Sequence, residues 1–88
     1  MSYQVRTTKK FDKSFKKLDR HSQKLIKNWI ESNLINCINP RFWGKALTGN
    51  FRGLWRYRIG SYRLLAKIDD DKLIIFAIDV GHRRNIYN

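Results

Sequence analysis

The stretch from Gly53 to Lys67 constrains the fold more than any other part of this chain. Two segments rich in aromatic and branched side chains flank Gly60-Ser61. That dipeptide suits a two-residue type II′ turn, so the stretch predicts a β-hairpin. With Gly60 and Ser61 as the loop, Ile59 faces Tyr62, Arg58 faces Arg63, Tyr57 faces Leu64, Arg56 faces Leu65 and Trp55 faces Ala66. Side chains alternate along a strand, so Arg56, Arg58 and Arg63 emerge on one side and Trp55, Tyr57, Ile59, Tyr62 and Leu64 on the other. Like charges directly opposite each other cost a sheet about 0.2–1 kcal/mol per pair. A fold that keeps Arg58 against Arg63 calls for an anion between them.

The 88 residues suffice for one small domain spanning 1–88 with a single core. Nineteen Lys and Arg against seven Asp and Glu give a formal net charge of +12, a field that attracts polyanions. Nucleic acid comes before a membrane surface, because the charge is not confined to one amphipathic helix; an acidic protein partner fits equally. The one cysteine, Cys37, has no internal disulfide partner. With no signal peptide or long apolar run, a cytoplasmic, reducing location is expected. Cys37 reads as a small core residue. Cys37, His21 and His82 lie too far apart to show the close-spaced pairs of a zinc site, and no metal or other cofactor is expected.

Taken in order, Tyr3–Thr7 alternates apolar and polar residues and predicts a first strand. Thr7 or Thr8 then caps a helix with Phe11, Phe15 and Leu18 at helical spacing and Lys9, Lys10, Lys13, Lys16 and Lys17 around it. That lysine set suits either a solvated face or a phosphate-tracking surface. Ser22 is the expected cap of a second helix carrying Leu25, Ile26, Trp29, Ile30 and Leu34, which fails around Asn36 to Pro40. The short link predicts an antiparallel helical hairpin. Residues 41–52 read as an ordered loop with Trp43 and Leu47 tucked against the core. Beyond the arginine hairpin, Asp69 to Lys72 is a turn and Leu73 to Val80 a buried central strand. With Asp70-Asp71 as the loop, Ile78 lies opposite Arg63 and Asp79 opposite Tyr62. The expected fold is α+β, β-α-α-β-β-β, with the helical hairpin packed on a twisted, mainly antiparallel four-stranded sheet.

The last strand runs back toward the end of the sheet that carries Gly60, Arg58 and Arg63. Gly81 is expected to break it and release the tail, gathering His82, Arg83 and Tyr87 near those arginines, with Arg84 as a further substrate-binding cation. Guanidinium groups grip phosphate in bidentate fashion and keep their charge, so such a cluster binds a phosphodiester and stabilises extra negative charge on it without a metal. The carboxylates form no catalytic dyad, which leaves His82 and Tyr87 for acid or base work. Metal-free cleavage of RNA by attack of the ribose 2′-OH fits these groups, because DNA lacks that nucleophile. Plain binding of RNA, DNA or an acidic protein fits the arginines as well.

Lys45-Ala46-Leu47-Thr48-Gly49 ahead of Leu54-Trp55-Arg56-Tyr57-Arg58-Ile59-Gly60-Ser61-Tyr62-Arg63-Leu64-Leu65, with a closing Asp79-Val80-Gly81-His82-Arg83-Arg84-Asn85-Ile86-Tyr87, resembles the RelE/ParE superfamily of bacterial type II toxin–antitoxin modules. The likeness covers essentially the whole chain, and its RelE branch implies the microbial RNase-like fold. It also implies an mRNA interferase that enters the A site of the 70S ribosome, cuts the codon there and inhibits translation, held in check in a heterocomplex with a RelB-like antitoxin. By position, Arg63 matches the family's phosphate-binding arginine, Arg83 the arginine after the strand-ending glycine, and Tyr87 the C-terminal tyrosine that handles the 2′-OH. Arg56 and Arg58 fall where RelE-type toxins often carry lysines. Arginine holds its proton too tightly to act as a base, so that role passes to Tyr87 or His82. Thr48 stands where a basic residue is often found, with Lys45 and Arg52 as the neighbouring cations. The alternatives are a ParE-like DNA gyrase inhibitor of the same fold and a non-catalytic RNA-binding module.

Overall fold

The computed structural model describes residues 1–82, so the expectations placed on Arg83, Arg84 and Tyr87 lie outside the described residues. The arginine hairpin forms as the sequence predicts. Strands β3 (Trp55–Ile59) and β4 (Tyr62–Asp69) pair antiparallel, with Trp55↔Ala66, Arg56↔Leu65, Tyr57↔Leu64, Arg58↔Arg63 and Ile59↔Tyr62. Gly60 takes the positive φ, 58°, that the first position of a type II′ turn requires, and Ser61 does not.

Around the hairpin the chain builds β1 (Gln4–Thr7), α1 (Lys9–Lys16), α2 (Arg20–Asn33), β2 (Lys45–Ala46), a 3-10 turn at Gly49–Phe51, and β5 (Ile74–His82). Among the described residues the sheet has five strands in the order β1-β5-β4-β3-β2, with only β1 and β5 parallel. The expected four-strand count falls short because β2 pairs over just Lys45↔Arg56 and Ala46↔Trp55. Two residues are too short for any periodicity to announce them.

Local chemistry sets the helix ends. Thr8 caps α1, its hydroxyl oxygen accepting from the Phe11 N–H at 3.1 Å. Asp19, rather than Ser22, caps α2, its carboxylate accepting from the Ser22 N–H at 3.2 Å. Phe11, Ile26, Ile30 and Leu34 then bury against Tyr57, Ile59, Leu64, Ala66, Ile75, Ala77 and Val80 in one core on the helix side of the sheet. Tyr57 is fully buried, and its hydroxyl donates to the Pro40 carbonyl at 2.6 Å, tying the loop after α2 to the middle of the sheet. Burial pushes the pKa of this phenol well above the ordinary tyrosine value.

The β4–β5 register differs from expectation by three residues. The turn spans four residues, Asp70 to Leu73, with Leu73 at φ 56°, so Asp69 pairs with Ile74. A bulge between Leu65 and Ala66 then shifts the pairing by one more, and Arg63 faces Gly81 while Tyr62 faces His82. Gly81 does not break the strand; β5 runs through His82.

Candidate functional site

Residues paired directly across neighbouring strands share a face of the sheet. Arg58 and Arg63 therefore stand side by side, flanked by Gly81, and the next rung carries Lys45, Arg56 and Leu65. The Arg58 side is exposed, Arg63 is half-buried, and Arg56 is only 7% exposed. Arg56 is thus set into the sheet beside Leu65, while Arg58, Arg63 and Lys45 are the cations an incoming anion meets. Arg52 lies at the other end of β3, just after the 3-10 turn.

Two further cations extend this face. Lys67 pairs with Phe76, and Phe76 with Arg6, so both project on the arginine side. Lys67 was legible from its even spacing with Arg63 and Leu65 along one strand. Arg6 was not, because its place depends on the parallel pairing of β1 with β5. The carboxylate nearest in register, Asp79, is drawn toward α1, where it accepts from the Ser14 hydroxyl at 2.6 Å and lies 3.6 Å from the Lys10 ammonium. One sheet face thus collects Arg6, Lys45, Arg56, Arg58, Arg63 and Lys67, a geometry suited to a phosphate backbone.

His82 takes the other face. Its ring meets that of its partner Tyr62 edge-on at 5.8 Å, and Tyr62 faces the helices. The Tyr62 hydroxyl lies 2.6 Å from the Ser22 hydroxyl, which lies 2.6 Å from an Asp19 carboxylate oxygen. Hydrogen bonds from the Ser22 hydroxyl and N–H hold the Asp19 pKa below the usual carboxylate value. Ser22 has one proton and gives it to that carboxylate, so Tyr62 donates to Ser22. Beside this chain, Ser14, Lys17, Tyr62, Asp79 and His82 line a cleft of about 270 Å³. His82 is at the same end of the sheet as Arg58 and Arg63 but projects away from them, and Arg83, Arg84 and Tyr87 lie outside the described residues. Among the described residues no group of three or more His, Cys, Asp or Glu gathers to hold a metal ion. No described helix is long and apolar enough to cross a membrane.

Comparison with known proteins agrees with this architecture. The profile of the ParE toxin of the type II toxin–antitoxin system parDE matches residues 5–87. Toxin RelG of Mycobacterium tuberculosis is 41% identical over 44 residues, half of this chain. The chain thus spans about half the length, 51%, of that curated relative. The toxin in the RelBE2 toxin–antitoxin complex of M. tuberculosis superposes with a TM-score of 0.85 at 28% identity, over 97% of this chain and 95% of that one. Isolated E. coli RelE shares the fold, with a TM-score of 0.72 at 23% identity over 92% of this chain and 84% of its own. A profile matched along nearly the whole chain, on a sheet whose strands pair as they do here, shows that this chain belongs to the ParE toxin family of type II toxin–antitoxin systems, within the RelE/ParE superfamily.

Proposed function

We propose that this toxin is a metal-free, ribosome-dependent endoribonuclease that cuts mRNA in the A site by attack of the ribose 2′-OH on the adjacent phosphate. The observation that carries this reading is the Arg58↔Arg63 rung, two guanidinium groups opposed on one face with Lys45 and Arg56 on the next. Opposed cations weaken a sheet in the absence of an anion and become an asset when a phosphate gathers charge in the transition state. Arg63 binds the scissile phosphate, with Arg58 and Arg83 beside it. Lys45, Arg56, Arg52 and Arg84 hold the neighbouring backbone. Proton transfer falls to Tyr87 and His82, with Tyr87 ranked first because His82 projects from the helix side. The protein works in the cytoplasm and is silenced by a RelB-like antitoxin that covers the basic face. The M. tuberculosis RelBE2 toxin, solved with its antitoxin, supports that partner.

The ParE-like alternative, a gyrase poison, has the family profile in its favour, but gyrase inhibition gives no reason for arginines in register. Expression of Arg58→Ala, Arg63→Ala and Arg83→Ala without antitoxin tests the reading. A charge-assisted hydrogen bond is worth about 1.5–3 kcal/mol. Each variant is therefore expected to cleave about 10- to 100-fold more slowly and to relieve growth arrest while keeping its fold by circular dichroism. Full toxicity in all three would remove the arginines from the mechanism.

A further inference from the structure

The Arg58↔Arg63 rung stands at a corner of the sheet. Beyond it lie the Ile59↔Tyr62 rung and the Gly60-Ser61 turn, and β2 pairs with β3 no further along than Arg56. Among the described residues no strand therefore flanks β3 at Arg58, while on the other side Arg63 is paired with Gly81 and Tyr62 with His82. Like charges directly opposite each other push such a corner apart. Apolar packing resists this in part. Ile59 is buried in the core on the helix side, and Leu25 of α2 lies against the turn, 3.6 Å from where a Cβ on Gly60 would stand. Contact of that kind sets the depth of the corner but has no direction.

The directional tie is Tyr62. Its hydroxyl donates to the hydroxyl of the buried Ser22 at 2.6 Å, and Ser22 donates to the Asp19 carboxylate at 2.6 Å. Asp19 is itself held as the cap of α2, accepting from the Ser22 N–H at 3.2 Å. Hydrogen bonds in series polarise one another, and those that end on a charge are the strong ones. The corner is thus tied to the start of α2 through one phenol. Tyr62 precedes Arg63 directly and projects from the opposite face, so a movement of the Tyr62 backbone carries the Arg63 guanidinium with it. The phenol does not reach the arginine face, and any effect it has on a phosphate there passes through the arginines.

We propose that Tyr62 is a positioning residue: bonded through Ser22 to the cap of α2, it holds the corner rung so that Arg58 and Arg63 converge on one phosphate. This deepens the proposed function and rests on its cleavage reading. The test follows mRNA cleavage on translating 70S ribosomes as a function of ribosome concentration, giving kcat and KM, with Tm measured on the same preparations. Tyr62→Phe removes the hydroxyl but keeps the ring and its edge-on contact with His82. Tyr3→Phe removes a matching bond, 2.6 Å to Asp70, at the opposite end of the same sheet. Both are expected to lower Tm. Only Tyr62→Phe is expected to lower kcat, about 10-fold with KM unchanged, because misplaced guanidinium groups lose rate rather than affinity. Ser22→Ala is expected to do the same, and the double variant Tyr62→Phe/Ser22→Ala to lose no more than the larger single loss, since both cut one chain. Wild-type kcat in Tyr62→Phe, with Arg63→Ala still slow, overturns the positioning role and leaves the cleavage reading standing. An equal loss of kcat in Tyr3→Phe also overturns it, by making the effect one of general stability. So does a rise in KM alone, which places Tyr62 in ribosome binding. If the wild type cuts no message on ribosomes, the cleavage reading falls and the positioning role with it.

Discussion

Gly44 and Gly53 share a positive φ, 76° and 94°, but not their surroundings. A Cβ at Gly53 meets nothing within 4 Å, whereas at Gly44 it meets the Arg56 carbonyl at 2.1 Å. Left-handed backbone costs an L-residue about 1–2 kcal/mol. Gly53→Ala is expected to lose about that much stability, and Gly44→Ala at least about 2 kcal/mol more, because β2 must move off β3. Urea denaturation of the two variants checks this, and equal losses would mean that the 40–44 segment is not held against the arginine strand. Nothing in the sequence distinguishes these glycines, since the difference lies in the backbone that each approaches. Trp43 was misplaced as well. A tryptophan in a loop is expected to seek the core, but the Trp43 ring packs edge-on against Trp29 at the rim and is 43% exposed.

At the scale of elements, pairing was legible wherever a tight turn fixed it. Gly60-Ser61 leaves one register for β3 and β4, so each pair follows by alternation. The β4–β5 register was not legible, because the turn took four residues and a bulge at Leu65/Ala66 added another shift, neither of which composition signals. One consequence is the face of His82. A shift of an odd number of residues moves a side chain through the sheet, and it carried His82 from the expected arginine side to Tyr62.

The same β4–β5 turn carries a pH-sensitive latch. Asp70 accepts from the Tyr3 hydroxyl at 2.6 Å and from both Arg41 terminal nitrogens, joining the residue just before β1 and the 40–44 segment to the turn. Arg41, then Tyr3, hold the Asp70 pKa below its ordinary value, and the bond to Asp70 raises that of Tyr3. For Asp70, a depressed folded pKa gives stability that is present above the unfolded carboxylate range and lost as pH falls through the folded value. For Tyr3, a raised folded pKa gives stability that is present below the unfolded tyrosine value and lost as pH rises through the folded one. Asp70→Asn is therefore expected to flatten the fall in Tm below about pH 4. The effect is modest because the carboxylate is exposed. An unchanged acid limb in the variant would mean that the latch does not contribute.

For the whole molecule, a net charge of +12 over 88 residues points to a polyanion or an acidic protein as partner. What the sequence did not reveal was how far the charge lies on one face. Arg6 joins Lys67 through Phe76 only once β1 lies parallel to β5. On the proposed function this face receives a message on the ribosome and the opposed arginines serve cleavage. Primer extension on an mRNA incubated with the purified toxin, with and without translating ribosomes, tests it most directly. Cuts in register with the reading frame are expected only when ribosomes translate, weakened about 10- to 100-fold by Arg63→Ala. An uncut message under both conditions, alongside DNA gyrase stalled by the same preparation, would contradict it.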